Sequence, residues 1–299
     1  MVSSQKVGWL GVGRMGAVMA GRLLQADVAV TVWNRTRAKC DPLVEQGAAV
    51  ADSIAGLAGC DVVFVMVSAP GDLEEVVLGD QGLLSAEQPP RIVVDCSSID
   101  VETSARVRAA LEAAGSDFLA APVSGNPQVV AGGGSLFAVS GPEPVFAEVA
   151  PLLELIGKGA VYTGPDEQAR VVKIAHNLYL GMLAQALSEV TVLAEKSGVP
   201  RPAFLGFLNS TGLGTDWARK RTPDLLALDW TPMFSTELLR KDFDLGLMAA
   251  REQEVPMPLA AATMQLIQSA IGHGFRDSDF LSLFAAEAAS AGLDIEPIS

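Results

Sequence analysis

Three groups of residues have types and spacings that suit small-molecule chemistry. Gly11-Val12-Gly13-Arg14-Met15-Gly16 carries glycine at its first, third and sixth positions, after a short apolar run and before an apolar helical stretch. In that setting Gly11 permits a tight turn, Gly13 lets a pyrophosphate approach the backbone, and Gly16 lets helix pack on strand. The amides opening the helix then face the phosphates. Lys173 and Asn177 stand at i and i+4, so one helical face carries an amine and an amide one turn apart, among apolar neighbours. An amine in such surroundings has its pKa drawn toward neutrality and can give or take a proton at a carbonyl oxygen. The bland alternative is a lysine that snorkels to solvent beside an asparagine bonded in the core. His176 stays open between a catalytic role and a buried hydrogen-bonded ring. Ser124-Gly125 follows an apolar run and Pro122, where a hydroxyl and turn amides make a small concavity for a carboxylate. No histidine base is paired with Ser124, which makes it a binding group and not a nucleophile.

A second apolar run ends Val32-Trp33-Asn34-Arg35-Thr36. A dinucleotide fold selecting NAD often has a carboxylate there for the ribose hydroxyls, which would repel a 2′-phosphate. Here Arg35 can pair with that phosphate in bidentate fashion. NADP is therefore favoured, with NAD possible.

The elements that must position these groups follow from the hydrophobic pattern. Short apolar runs at Val7–Leu10, Val28–Trp33, Asp61–Val67 and Arg91–Asp95 alternate with helical stretches, the pattern of strands in a parallel sheet covered on both faces. Asp100 reads as an N-cap and Gly115 as the matching C-terminal stop. Asp117–Ala121, Leu136–Ser140 and Ala160–Tyr162 are the later strand candidates. From Asp166 to Lys196 a single long helix is expected, and the remainder is helical and broken by prolines. The predicted architecture is an α/β Rossmann-type, doubly wound N-terminal domain over residues 1–164 and an all-α C-terminal domain over 165–299, joined by the long helix.

The chain has 299 residues and a net charge of −14, which argues against a nucleic-acid partner. Its three cysteines have no paired or metal-like spacing and its two histidines lie far apart, so reduced thiols in a cytoplasmic protein are expected and no metal. No apolar run approaches the roughly 20 residues needed to span a bilayer. Surplus apolar surface in the alanine-rich C-terminal part is expected to be buried, partly between subunits.

Gly11 to Ala20, with Asn34-Arg35-Thr36 downstream, resembles the opening of the β-hydroxyacid dehydrogenases, a family that includes 3-hydroxyisobutyrate dehydrogenase and is related to 6-phosphogluconate dehydrogenase. Ala121-Pro122-Val123-Ser124-Gly125 is similar to its substrate motif, Lys173-Ile174-Ala175-His176-Asn177 to its catalytic-helix motif, and Leu239 to Leu245 to its C-terminal cofactor-side motif. The resemblance runs from about residue 6 to about residue 280. It implies NAD(P)-dependent exchange of a small hydroxyacid with its aldehyde or keto acid, in a cleft between the domains of a dimer or tetramer. Ser124 and Gly125 would hold the substrate carboxylate, Lys173 would be the general acid/base, and Asn177 would orient the substrate. Lys241 would lie near the cofactor and Ser97 would line its nicotinamide side, with Val67 counted among the cofactor-binding residues.

Some positions depart from the family pattern. Asn126 stands where a second glycine is usual, adding an amide to the expected substrate pocket. The glycine-rich approach to the lysine is replaced by Asp166-Glu167-Gln168-Ala169-Arg170. Leu180 occupies the place of the glutamate that serves decarboxylation in 6-phosphogluconate dehydrogenase, which disfavours that reaction. Two alternatives remain: an imine reductase, a class that places Asp or Tyr where Lys173 stands, and a cofactor-binding scaffold without catalysis.

Overall fold

The computed structural model describes residues 5–298. The chain divides into two compact units, Met1–Lys173 and Ile174–Ser299. The division falls within the long helix, nine residues beyond the expected boundary.

The first unit is built on a nine-stranded sheet. Its elements are β1 (Lys6–Leu10), α1 (Arg14–Gln25), β2 (Ala29–Trp33), α2 (Asp41–Val44), β3 (Ala49–Val50), β4 (Val62–Val65), α3 (Pro70–Leu78), β5 (Ile92–Asp95), α4 (Val101–Ala113), β6 (Asp117–Ala120), β7 (Val123–Ser124), α5 (Pro127–Ala131), β8 (Leu136–Ser140), α6 (Glu143–Ile156) and β9 (Ala160–Gly164). The strand order is β3-β2-β1-β4-β5-β6-β8-β7, with β9 on β8. From β3 to β6 every pairing is parallel. The order reverses between β1 and β4, and in such sheets ligands bind beyond the carboxyl ends of the strands at that point.

Period-two alternation explains the two-faced core. Val62 and Phe64 of β4 join Trp9, Val32 and Leu23 on one side of the sheet. Val63 and Val65 join Leu73, Val107 and Phe118 on the other. Trp9 stacks on Phe64 with ring centroids 5.2 Å apart. Each buried side chain of this size contributes about 1.5–3 kcal/mol. The Asp100 N-cap forms as expected, its carboxylate accepting from the Thr103 amide at 2.6 Å. Gly115 follows α4 at φ +82°, where glycine is unstrained.

Beyond β6 the sheet is mixed. β8 runs antiparallel to β6 and β7. The segment between β6 and β8 contains β7, which pairs antiparallel with β8, so the chain returns along itself and enters β8 in the reverse direction.

The second unit is helical. The helix α7 (Gln168–Lys196) crosses into it and is followed by α8 (Arg201–Ser210), α9 (Asp216–Ala227), α10 (Thr236–Glu252), α11 (Pro258–Ala270) and α12 (Leu283–Ser290). Ile174, Leu178, Leu239, Phe243 and Ile267 form one core cluster. Leu187, Leu205, Leu225 and Phe284 form another. Glycine allows α7 and α10 to pack closely. A Cβ on Gly181 would lie 2.3 Å from the Phe243 ring, and one on Gly246 would lie 2.6 Å from a Leu178 methyl. Among the described residues, no helix is long and apolar enough to cross a membrane.

Candidate active site

The loop after β1 contains glycines of two kinds. A Cβ on Gly11, where φ is +95°, would lie 2.2 Å from the Met66 carbonyl oxygen, and one on Gly16 would lie 2.0 Å from the Gly11 oxygen. The fold itself demands both. Gly13 has an ordinary φ of −73° and precedes the first residue of α1. A side chain there would meet nothing within 4 Å. Packing therefore does not require glycine at 13, whereas close approach of a ligand to the backbone does. Gly13 provides no side-chain cap to α1, and the first turn holds no acidic residue, so the positive end of the helix suits a phosphate. These features fit a dinucleotide.

Asn34 ties this loop to the end of β2. Its Oδ1 accepts from the Val12 amide at 3.0 Å and its Nδ2 donates to the Thr36 carbonyl at 2.9 Å. The residue expected to face a ribose thus also holds the loop in shape. Arg35 is 79% exposed and only 3.8 Å from Asp72, a weak tether that leaves it able to turn toward an anion. Thr36 is exposed beside it.

The loops after β4 and β5 are joined by Ser97. Its hydroxyl donates to Asp95 Oδ1 at 2.6 Å and accepts from the Val67 amide at 2.9 Å. Ser97 is fully buried, and its hydroxyl holds the two loops together. The same burial makes Asp95 a structural centre, and Arg170 reaches it from α7. The role of Asp95 was not read from the sequence. The signal present was an acidic residue closing an otherwise apolar strand, a group that needs partners when buried.

Ser124 ends β7 and is half-buried. Gly125 follows at φ +128°, where a Cβ would press to 2.9 Å on Val129. Asn126 is committed to the backbone: its Oδ1 accepts from the Val129 amide at 3.0 Å and caps α5. The amide expected at the substrate pocket therefore also serves as a helix cap. Asn followed by Pro is itself an N-cap and first-turn signature.

Lys173 is half-buried, and Asn177 stands one turn further along α7. Asn177 is buried, with Nδ2 donating to Asp242 Oδ2 of α10 at 2.5 Å. A carboxylate accepts only, so this bond fixes which way the amide points. Asn177 Oδ1 then faces His176 Nδ1 at 2.9 Å, and that nitrogen must carry the proton. His176 is exposed, which removes the buried-histidine alternative. Lys241 is half-buried next to Asp242 in the chain. Neither Asp242 nor Arg170 was singled out by sequence reasoning.

The three thiols are buried and free. Burial raises the pKa of Cys40, Cys60 and Cys96, the last well above the usual thiol value. A nucleophilic thiolate needs the opposite shift.

A family model described as the NAD binding domain of 6-phosphogluconate dehydrogenase matches residues 6–164. One described as NAD-binding of NADP-dependent 3-hydroxyisobutyrate dehydrogenase matches residues 168–286. The chain is 33% identical to glyoxylate/succinic semialdehyde reductase 1 of Arabidopsis thaliana, over 94% of this chain and 98% of that protein. Among solved structures it resembles a 3-hydroxyisobutyrate dehydrogenase of Mycobacterium tuberculosis with L-serine: TM-score 0.84, 26% identity, 94% of this chain and 98% of that one. It also resembles Psf3 in complex with NADP+ and 2-OPP: TM-score 0.82, 28% identity, 93% of this chain and 99% of that one.

Proposed function

Because the chain belongs to the β-hydroxyacid dehydrogenase family and is an NAD(P)-dependent dehydrogenase or reductase, we propose that it interconverts a small β-hydroxyacid, similar to 3-hydroxyisobutyrate, with its aldehyde or keto acid, using NADP in preference to NAD. When bound, the reduced nicotinamide supplies the hydride that the carbonyl carbon receives. Lys173 gives a proton to the carbonyl oxygen and regains one from solvent; in the oxidative direction it takes the hydroxyl proton. Asn177 orients the substrate oxygen with the amide that Asp242 holds. Ser124 and the amides around Gly125 bind the carboxylate, with Asn126 shaping that turn. Gly11 to Gly16 carry the pyrophosphate, Arg35 with Thr36 takes the 2′-phosphate, and Lys241 and the Val67 loop complete the cofactor's surroundings.

The observation that carries this reading is Lys173 one helical turn from an asparagine whose amide is locked by a buried carboxylate. The test is NADPH and NADH oxidation across a panel of small aldehyde and keto acids, with Lys173→Ala alongside. Loss of about 10²-fold in kcat with NADPH affinity kept is expected. Full turnover by the variant removes Lys173 from the chemistry. Turnover of cyclic imines alone makes the protein an imine reductase, and cofactor binding without any turnover makes it a scaffold.

The protein is further proposed to act as a cytoplasmic homo-oligomer, dimer or tetramer. Its three thiols are free and buried, which suits a reducing compartment. Tyr179, Leu183, Ala186, Val190 and Leu193 recur on α7 at alternating spacings of four and three, and Tyr179 and Leu193 are 61% and 68% exposed. That seam has the form two like helices bury against each other. Light scattering reads the mass. Tyr179→Glu with Leu193→Glu gives a monomer if the seam is the interface.

A further inference from the structure

The start of α7 is fastened by charged side chains that the proposed chemistry leaves unused. Arg170 lies in its first turn and is 1% exposed. Its guanidinium donates in three directions: Nε to Ser104 Oγ of α4 at 3.0 Å, Nη1 to the Ser97 carbonyl at 2.7 Å, and Nη2 to Asp95 Oδ2 at 2.5 Å. Asp95 in turn uses Oδ1 to hold the amide and hydroxyl of Ser97, at 3.1 and 2.6 Å. A second arginine holds the residues just before the helix. Arg108 of α4 donates to Glu167 Oε1 at 2.7 Å, to the Asp166 carbonyl at 2.6 Å and to the Phe118 carbonyl at 3.2 Å. These partners and Lys173 all belong to the first unit. Arg170 precedes Lys173 by three residues, about 4.5 Å of helix rise. One guanidinium therefore ties the helix turn that carries Lys173 to the turn at Ser97.

Stability alone is a poor reason for this arrangement. Taking both charges out of water costs so much that a well-packed apolar residue often does as well or better. What an arginine fork adds is geometry, since its planar donors fix several partners in direction at once, whereas a lysine offers a point charge. The chain has this group in the segment that departs from the family's usual glycine-rich approach. Building on the function proposed above, we propose that Arg170, paired with Asp95, is a positioning residue. It registers the turn that follows β5 against the amine of Lys173, so that hydride and proton reach one carbonyl in the same geometry.

The test is single-turnover reduction of an accepted aldehyde acid by NADPH bound to wild type, Arg170→Lys and Asp95→Asn, followed by NADPH absorbance. The second variant keeps an acceptor for Ser97 and serves if the first folds poorly. Positioning predicts a folded variant with NADPH affinity within about 3-fold of wild type and a rate constant lower by about 10²-fold, the penalty of an ångström-scale misplacement. A purely structural role predicts a smaller amplitude, from less folded protein, with the rate constant unchanged; that result overturns the proposal. Hydrogen exchange supplies a readout that needs no turnover. Peptides covering residues 96–104 and 168–177 exchange faster together in either variant if Arg170 registers them, and wild-type protection in either peptide overturns it. Should wild type turn over no member of the panel, the proposed function fails by itself, and the exchange result still decides the positioning claim.

Discussion

Asn177 gives a side-chain N–H to Asp242 across 2.5 Å, joining α7 to α10 inside the helical unit. Gly181 and Gly246 make the approach possible by leaving room for Phe243 and Leu178. The bond also dictates which face of the amide is turned to His176. Asn177→Ala leaves a buried carboxylate oxygen short of a donor, at a cost of about 2 kcal/mol and several degrees of Tm. Replacing both residues by leucine removes the charge together with its partner and regains most of that loss without restoring activity. Thermal denaturation of the single and double variants checks this; equal Tm for Asn177→Ala and wild type means the bond contributes nothing.

The glycine loop separates folding from binding by position. Gly16→Ala drives a methyl into the Gly11 carbonyl 2.0 Å away, so the variant is expected to lose stability or fail to fold. Gly13→Ala meets no protein atom within 4 Å and keeps an allowed φ of −73°. Its Tm should stay within about 1 °C of wild type while NADPH affinity falls about tenfold or more, because the methyl occupies the space of the phosphate. Calorimetry and thermal denaturation read the two effects independently. Undiminished affinity in Gly13→Ala places the dinucleotide elsewhere.

Thiol chemistry offers a pH-linked check. Burial raises the pKa of Cys40, Cys60 and Cys96, so the thiolate fraction of each at pH 8 lies below that of an ordinary cysteine. In the native protein a disulfide reagent should label none of the three within minutes, and all three once the chain is unfolded. Rapid labelling of a native thiol at neutral pH contradicts the shift.

Much of the first unit was legible because most of its strands are short apolar runs, richest in β-branched residues at β4 and β5, with Gly11 and Asp100 marking the turns. The strands β3 and β7 were not legible. At two residues each, they exist through their neighbours' hydrogen bonds and have no periodicity of their own. The reversal of β8 was hidden for a related reason, since strand direction is set by the connection and not by the residues in the strand. At the site, residue type pointed to Lys173 and Asn177, but their supports lie far away in sequence. Asp95 and Arg170 are 75 residues apart, and Asn177 and Asp242 are 65 apart. Ser97 and Asn126 were recognised as polar groups in suggestive places. What their side chains do, bracing a loop and capping a helix, depends on backbone amides that only the fold brings within reach.

Cofactor preference turns on the residues after β2. Asn34 is engaged with Val12 and Thr36, so discrimination falls to Arg35, which is exposed and held only loosely near Asp72. A guanidinium so placed gains from a 2′-phosphate and loses little by leaving its carboxylate, whose attraction is weak at the surface. Arg35→Ala should weaken NADPH binding by about tenfold or more while NADH binding changes by less than about twofold. Arg35→Asp goes further: its carboxylate repels the 2′-phosphate and can accept from the ribose hydroxyls of NADH. Because the contact is between exposed charges, the wild-type preference for NADPH should also shrink as salt rises past the point where the Debye length is about 10 Å. Dissociation constants for both cofactors, measured on the three proteins at low and high salt, check the argument. If Arg35→Ala binds NADPH as tightly as wild type does, the 2′-phosphate is recognised by another residue.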